Sequence, residues 1–294
     1  ITSFPAAFNS LAFWVTAIVG DGLIFFRFEE LKRAKEYLEK TVKIQPNYAF
    51  AHYSLGNLQK EFKELKKAKA SYLKAIEIRP TFASAQNNLG LMYSYGEGVE
   101  LDNQEAFKWF KKSADQGFAD AQNSLGYLYN FGYGVITDFE QAVNYYRLAA
   151  EQGNDWGQFN LGLMYMNGNG IESDFEMGHF WYEMAAKQGL IDAINNLALD
   201  FMTGIHTGDS KGNTINSDYF KSVEWLKKGV DEGYYLAQYK LAIAFYQGDG
   251  IEKNVEKANG LTSIKSTIEG VVTIADIVSD PIGFTGTKVK VHGQ

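Results

Sequence analysis

The sequence has no cysteine and only four histidines in 294 residues. Without cysteine there are no disulfides, no zinc–thiolate sites and no thiol nucleophile. The compartment stays open, because a disulfide-free chain can live in any redox environment. His52, His179, His206 and His292 stand at no metal-ligand spacing, so no metal site is expected. No Gly-Lys-Ser/Thr loop occurs, and Gly132-x-Gly134 follows a helical pattern where a phosphate fingerprint would precede one. No cofactor is expected. What the chain does hold is 46% apolar and 21% charged residues, with 44 aromatics and 29 glycines, which places it with folded proteins rather than disordered ones.

Net charge is −7 and unevenly spread. Residues 1–80 carry 13 Lys/Arg against 8 Asp/Glu, a balance of +5, and the remainder sums to −12. A nucleic-acid binder needs a basic track that displaces counterions, and the larger part of the chain has the wrong sign. Lys60, Lys63, Lys66, Lys67 and Lys69 read as one solvated helix face. No nucleic-acid partner is expected.

The chain begins at Ile1 without Met, the mark of a processed form or a fragment, and is uncharged as far as Gly20. Phe4–Phe28 is apolar enough to raise a membrane span, which takes about 20 apolar residues. Pro5, Asn9, Thr16 and Asp21 count against it, and the basic start of a signal peptide is missing. Buried helices are the leading expectation for this segment. Membrane contact is expected only through it, if anywhere.

Self-similarity dominates the rest. Small-residue pairs recur at Leu55-Gly56, Leu89-Gly90, Leu125-Gly126, Leu161-Gly162, Leu197-Ala198 and Leu241-Ala242, spaced 34, 36, 36, 36 and 44. A second column runs Ala34, Ala68, Ala106, Ala142, Gly178, Ser222 and Ala258, and a third runs Gly117, Gly153, Gly189, Gly233 and Gly270. Each unit reads as two amphipathic helices: Ala121, Leu125, Leu128 and Tyr129 share one face, and Ala142, Tyr145, Tyr146, Ala149 and Ala150 share another. Gly126 and Ala142 are small where the two helices would cross. Asp138 is the expected N-cap of the second helix, and Gly153 its left-handed C-terminal cap.

Residues 49–80 resemble a tetratricopeptide repeat, carried by Leu55, Gly56, Ala68, Tyr72, Ala75 and Pro80. Residues 15–46 resemble a decayed copy, with Gly22, Ala34 and Pro46 in place but Asp21 and Thr41 out of pattern. From residue 82 the units are similar to Sel1-like repeats. The Leu-to-Ala spacing lengthens from 13 to 17, and the added residues form glycine turns such as Gly132-Tyr133-Gly134-Val135. Trp109, Tyr145 and Trp181 stand as the second-helix aromatics. The resemblance implies an all-α, right-handed solenoid of about seven antiparallel helix pairs. Residues 1–81 hold the apolar segment and two tetratricopeptide-like units, and 82–270 hold five Sel1-like units.

The fourth of these carries eight extra residues around His206–Asn216. It lacks the order of a calcium loop and reads as a polar surface loop. The fifth is degenerate and reads as a cap. Residues 271–294 are β-branched and strand-like around Asp280-Pro281-Ile282-Gly283, and read as the start of a further domain or a small hairpin.

Catalysis is not expected. Ser71-Tyr72-Leu73-Lys74 matches the Ser-x-x-Lys nucleophile motif, but its companion Ser-Asp-Asn and Lys-Thr-Gly elements are missing and Tyr72 is a packing position. The first helices of stacked pairs line the concave side, which in related proteins receives peptides. The fifth place of these helices carries Asn87, Asn123 and Asn195, whose amides can donate and accept along an extended backbone. At the sixth place, Asn88, Asn160 and Asn196 are read chiefly as holding repeats together. Tyr95, Asn130, Phe131, Trp156 and Asn167 occupy other concave places and suit a peptide or partner helix.

The expectation is a non-catalytic scaffold or adaptor that binds a protein or peptide. The alternative is a regulatory or targeting arm of a larger protein. The apolar start and the lack of cysteine lean towards a bacterial envelope over the cytoplasm.

Overall fold

The computed structural model describes residues 21–203 and 218–262. The apolar start before residue 21, the fourth-unit insert around His206–Asn216 and everything from residue 263, the strand-like tail included, lie outside the described residues. Those described form thirteen α-helices and no strand, in two compact units, Ile1–Gln116 and Gly117–Gln294.

The first unit opens with α1 (Asp21–Ile44), followed by the pairs α2 (Ala49–Glu61) with α3 (Leu65–Ile78) and α4 (Ala83–Tyr95) with α5 (Asn103–Ala114). The decayed repeat expected over 15–46 contributes one unbroken helix to the described residues. Its inter-helix turn would fall at Phe28-Glu29-Glu30, in register with Phe62-Lys63-Glu64, yet α1 runs through. Between Gly22 and Pro46 there is no glycine or proline, so nothing in the sequence obliges the helix to stop. In the intact copy the turn is made by Lys63 at φ 59°, with Lys63 N and Glu64 N donating to Lys60 O and Gln59 O. An ion pair from Lys35 to Glu64 ties α1 to that turn. The Lys35 and Lys67 ammonium groups hold the Glu64 carboxyl below its ordinary range.

The second unit is four pairs: α6 (Ala119–Phe131) with α7 (Phe139–Glu151), α8 (Asp155–Asn167) with α9 (Phe175–Lys187), α10 (Ile191–Thr203) with α11 (Tyr219–Asp231), and α12 (Tyr235–Gln247) with α13 (Val255–Thr262). The described residues therefore show six pairs preceded by one long helix.

Local chemistry starts and stops these helices as the sequence pattern predicts. Asp138 Oδ1 accepts from Gln141 N at 3.0 Å, and Asp102, Asp174, Asp218 and Asn254 cap their helices in the same way. Such a cap stabilises by about 1 kcal/mol. Gly153 ends α7 at φ +85°, and nothing lies within 4 Å of where its Cβ would be. Glycine is required there by backbone conformation alone.

Inside each pair a glycine makes room for a ring. A Cβ on Gly126 would sit 2.6 Å from Tyr146 Cδ1, and Gly56, Gly90 and Gly162 face Tyr72, Phe110 and Tyr182 in the same way. The ring on the glycine is the neighbour of the aromatic singled out from sequence: Tyr146 rather than Tyr145, Phe110 rather than Trp109, Tyr182 rather than Trp181. Tyr146 is 1% exposed and packs with Ala142, Val143, Leu161 and Met164. Burial of such a side chain stabilises by about 2–3 kcal/mol.

Successive pairs are locked by the glycine turns. A Cβ on Gly170 would lie 2.4 Å from the carbonyl carbon of Phe139, the first residue of α7, and one on Gly250 would lie 2.3 Å from that of Tyr219, the first residue of α11. In the first unit Gly98 presses on Leu65, the first residue of α3. The longer turn of the later repeats thus lays backbone directly on the helix start of the preceding pair.

Candidate functional site

The candidate site residues all lie on the first helices of their pairs, α4, α6, α8 and α10. Asn87 is 4% exposed in the first unit, and its Oδ1 has no hydrogen-bond partner among the described residues. Asn123 and Asn195 are half-buried in the second unit and already engaged through their oxygens. Asn160 Nδ2 donates to Asn123 Oδ1 at 2.9 Å, and Lys240 Nζ donates to Asn195 Oδ1 at 2.9 Å. The sixth place of one repeat therefore reaches back to the fifth place of the repeat before it. Asn88 behaves similarly in the first unit, donating to Asn57 Oδ1 at 3.0 Å. The structural role expected of the sixth-place Asn88 and Asn160 is present, made to a neighbouring helix. Through their amide nitrogens Asn123 and Asn195 still have donors to offer a ligand.

The remaining candidates sort by exposure. Tyr95 is 70% exposed at the end of α4. Trp156 is 45% exposed at the start of α8, edge-on to Phe159 with ring centroids 5.9 Å apart. Phe131 is 52% exposed and belongs to a trio with Tyr127 and Tyr133, its centroid 4.6 Å and 5.8 Å from theirs. Asn130 is half-buried and Asn167 exposed, at the last turns of α6 and α8. Tyr129, placed by the sequence on the apolar face of α6, and its counterpart Tyr165 lie half-buried against the Tyr146 core.

One group escaped sequence reasoning. Asp120 is the second residue of α6, and Asn154 Nδ2 donates to its Oδ1 at 2.8 Å. Asp120 is exposed at the surface, yet desolvation by the surrounding protein, and then the negative charge of Asp155, push its carboxyl above its ordinary range. Asp120 thus lies against the start of α8, where Asp155 directly precedes Trp156. The available signal was the absence of basic residues: 117–203 holds eleven Asp/Glu against only Arg147 and Lys187. On the same first-helix surface, Lys240 is the contrasting cation, its ammonium pKa lowered by burial.

Nothing catalytic is assembled at the Ser-x-x-Lys motif. Ser71 Oγ donates to Gln59 Oε1 at 2.7 Å, while Lys74 Nζ pairs with Glu77 at 2.8 Å, so the hydroxyl and amine are committed elsewhere. No group of three or more metal-ligating side chains occurs among the described residues. His179 Nε2 lies 3.3 Å from Asp200 Oδ2, an electrostatic contact that is out of line for a hydrogen bond, and the imidazole stacks on Phe201. Among the described residues no helix is long and apolar enough to cross a membrane.

Comparison with known proteins follows the same register. The Sel1 repeat model matches residues 83–118, 119–154, 157–190, 191–234 and 236–261, more than half of the chain. A tetratricopeptide repeat model matches 51–82. Among solved structures, the chain is similar to c5321, a protective antigen present in uropathogenic Escherichia coli strains and displaying an SLR fold. Identity to it is 33% and the TM-score 0.66, covering 78% of this chain and 47% of that one. It is also similar to a Sel1 repeat protein from Oxalobacter formigenes, at 29% identity and a TM-score of 0.64, covering 83% of this chain and 96% of that one. The chain thus spans about half the length of the first of these relatives. No curated protein matches.

Proposed function

Since the chain belongs to the Sel1 repeat family, whose members are generally protein-interaction scaffolds, we propose that it is a non-catalytic adaptor holding a peptide or partner protein on the face of its first helices. The observation that supports this reading best is the set of large rings left exposed on those helices in the second unit, Tyr127, Phe131, Trp156 and Tyr235. A folded chain leaves such rings on one face at a cost in apolar hydration, which a partner recovers by covering them. Aromatic anchors ringed by amides and carboxylates are what peptide-binding surfaces use. Asn123 and Asn195 add donors for a main chain lying across the helices, and Asn130 and Asn167 flank it. In the first unit Tyr95 is the corresponding anchor.

A photo-crosslinking residue in place of Phe131, compared with one in place of the second-helix residue Leu148, tests the reading. Leu148 is 47% exposed on α7, so both positions reach solvent. A partner captured from position 131 and not from 148 is the expected result. Capture only from 148, or from neither, would sink it. If the repeats are instead the arm of a larger protein, the same face is engaged and the captured partner is part of that assembly.

A further inference from the structure

This inference rests on the adaptor reading and concerns the chemistry of the partner. We propose that the α6–α8 part of the face takes a basic segment of a protein. One Lys or Arg of that segment sits between Asp120, Asp155 and the Trp156 ring, and an apolar or aromatic side chain sits on Tyr127, Phe131 and Tyr133.

Helical geometry puts these groups on one line. At about 100° per residue, Asp120, Tyr127 and Phe131 fall within about 40° of one another around α6. Trp156 holds in α8 the place that Asp120 holds in α6, and the bond from Asn160 to Asn123 keeps the two helices in that register. The line therefore runs from an acidic end to an aromatic end. From Asp120 to Phe131 the rise is about 16 Å, which an extended peptide covers in about five residues.

The two ends ask for different things. At the acidic end desolvation by the surrounding protein, and then the negative charge of Asp155, oppose ionisation of Asp120. A guanidinium or ammonium placed between the two carboxylates offsets the charge at Asp120 and meets the indole face as well. No basic residue occurs on α6, α8 or α10, and Lys240, the cation that reaches these helices from α12, is held at Asn195 of α10. At the aromatic end three rings lie within 6 Å centroid to centroid, each more than two-fifths exposed. They form a shallow seat for one large side chain. The balance of nine negative charges over residues 117–203 steers basic segments inward and disfavours acidic ones.

The probes are labelled peptides of about 12 residues with one Leu-Trp pair and, about five residues away in either order, Arg-Lys, Gln-Gln or Glu-Glu. Binding to the full chain is read by fluorescence anisotropy. The Arg-Lys peptide in one order should bind about 10-fold more tightly than Gln-Gln, with Glu-Glu weaker still, and the preference should shrink on raising salt from about 50 to 500 mM. The double variant Asp120→Asn, Asp155→Asn should abolish the charge preference. Phe131→Ala should weaken all three peptides alike, with thermal melts confirming that each variant is folded. Equal binding of the three peptides would overturn the basic-segment assignment and leave the adaptor reading standing. No binding by any of them, with a partner still crosslinked at position 131, would overturn it too. No binding and no crosslink would remove both.

Discussion

The pairs α8–α9 and α10–α11 stand side by side in the second unit and solve one packing problem with different residues. In α8–α9, Gly162 lies beneath the ring of Tyr182, and Gln188 Nε2 donates to the buried Gln158 Oε1 at 2.8 Å. In α10–α11 the same places hold Ala198 with Leu226, and Ile194 with Glu232. Ile194 and Leu226 are 0% and 1% exposed, so the substituted pair is as closed as the regular one. Residues thus change in couples. Glycine is kept where a ring must fit and becomes alanine where the partner shrinks to leucine. A buried amide is kept where a second amide can satisfy it, and becomes isoleucine where that second amide is gone.

The largest effect should come from breaking the joint between pairs rather than the pairs themselves. Gly170→Ala combines a left-handed backbone, costing about 1–2 kcal/mol for a residue with a Cβ, with a methyl pressed on the Phe139 backbone, costing about 1–3 kcal/mol more. Chemical denaturation should show that sum, whereas Gly153→Ala, strained but in open space, should lose only the first part.

Next comes the glycine beneath the ring. Gly162→Ala should cost about 2 kcal/mol, and adding Tyr182→Leu should recover part of it, because the double variant copies the neighbouring pair. A double-mutant cycle with no coupling would break the comparison.

The amide pair is a finer version of the same test. Gln188→Ala leaves Gln158 Oε1 buried without its donor and should cost about 1–2 kcal/mol. Gln158→Ile with Gln188→Glu, the combination found in α10–α11, should be less destabilising in thermal melts than the single change.

The smallest effect concerns charge. The Asp120 pKa is raised in the fold, so its ionisation works against the folded state. That penalty is absent below the carboxyl's unfolded pKa and complete once pH exceeds the raised folded value. Asp120→Asn keeps an oxygen for Asn154 and loses the charge. Its melting temperature relative to the parent should therefore be higher at pH 7 than at pH 3, and an equal difference at both would refute the charge argument.

Much of this was legible in the sequence because the repeat does the aligning. The close approach at Gly126, the Asp138 cap and the left-handed Gly153 follow from spacing and residue type, and the structure has each of them. What failed to come through were choices between adjacent candidates. Tyr145 and Tyr146 are equally aromatic, and only the facing glycine selects Tyr146. Asn160 reads from sequence as a link between repeats, but no pattern within one unit announces that its partner is Asn123, 37 positions away. The unbroken α1 shows the limit from the other side. Residues 15–46 resemble a repeat at Gly22, Ala34 and Pro46, but the described part of that segment lacks the turn that would make it a pair, and the tetratricopeptide model matches only 51–82.

The glycine turns have a further consequence. Gly170 and Gly250 meet the preceding pairs through main-chain atoms, at points where the chain has no side chain to exchange. The angle at which one pair follows the next is thereby insulated from drift in the residues displayed on the first helices. A lineage built this way can rewrite what it recognises, ring by ring and charge by charge, while the frame that presents those groups keeps its pitch.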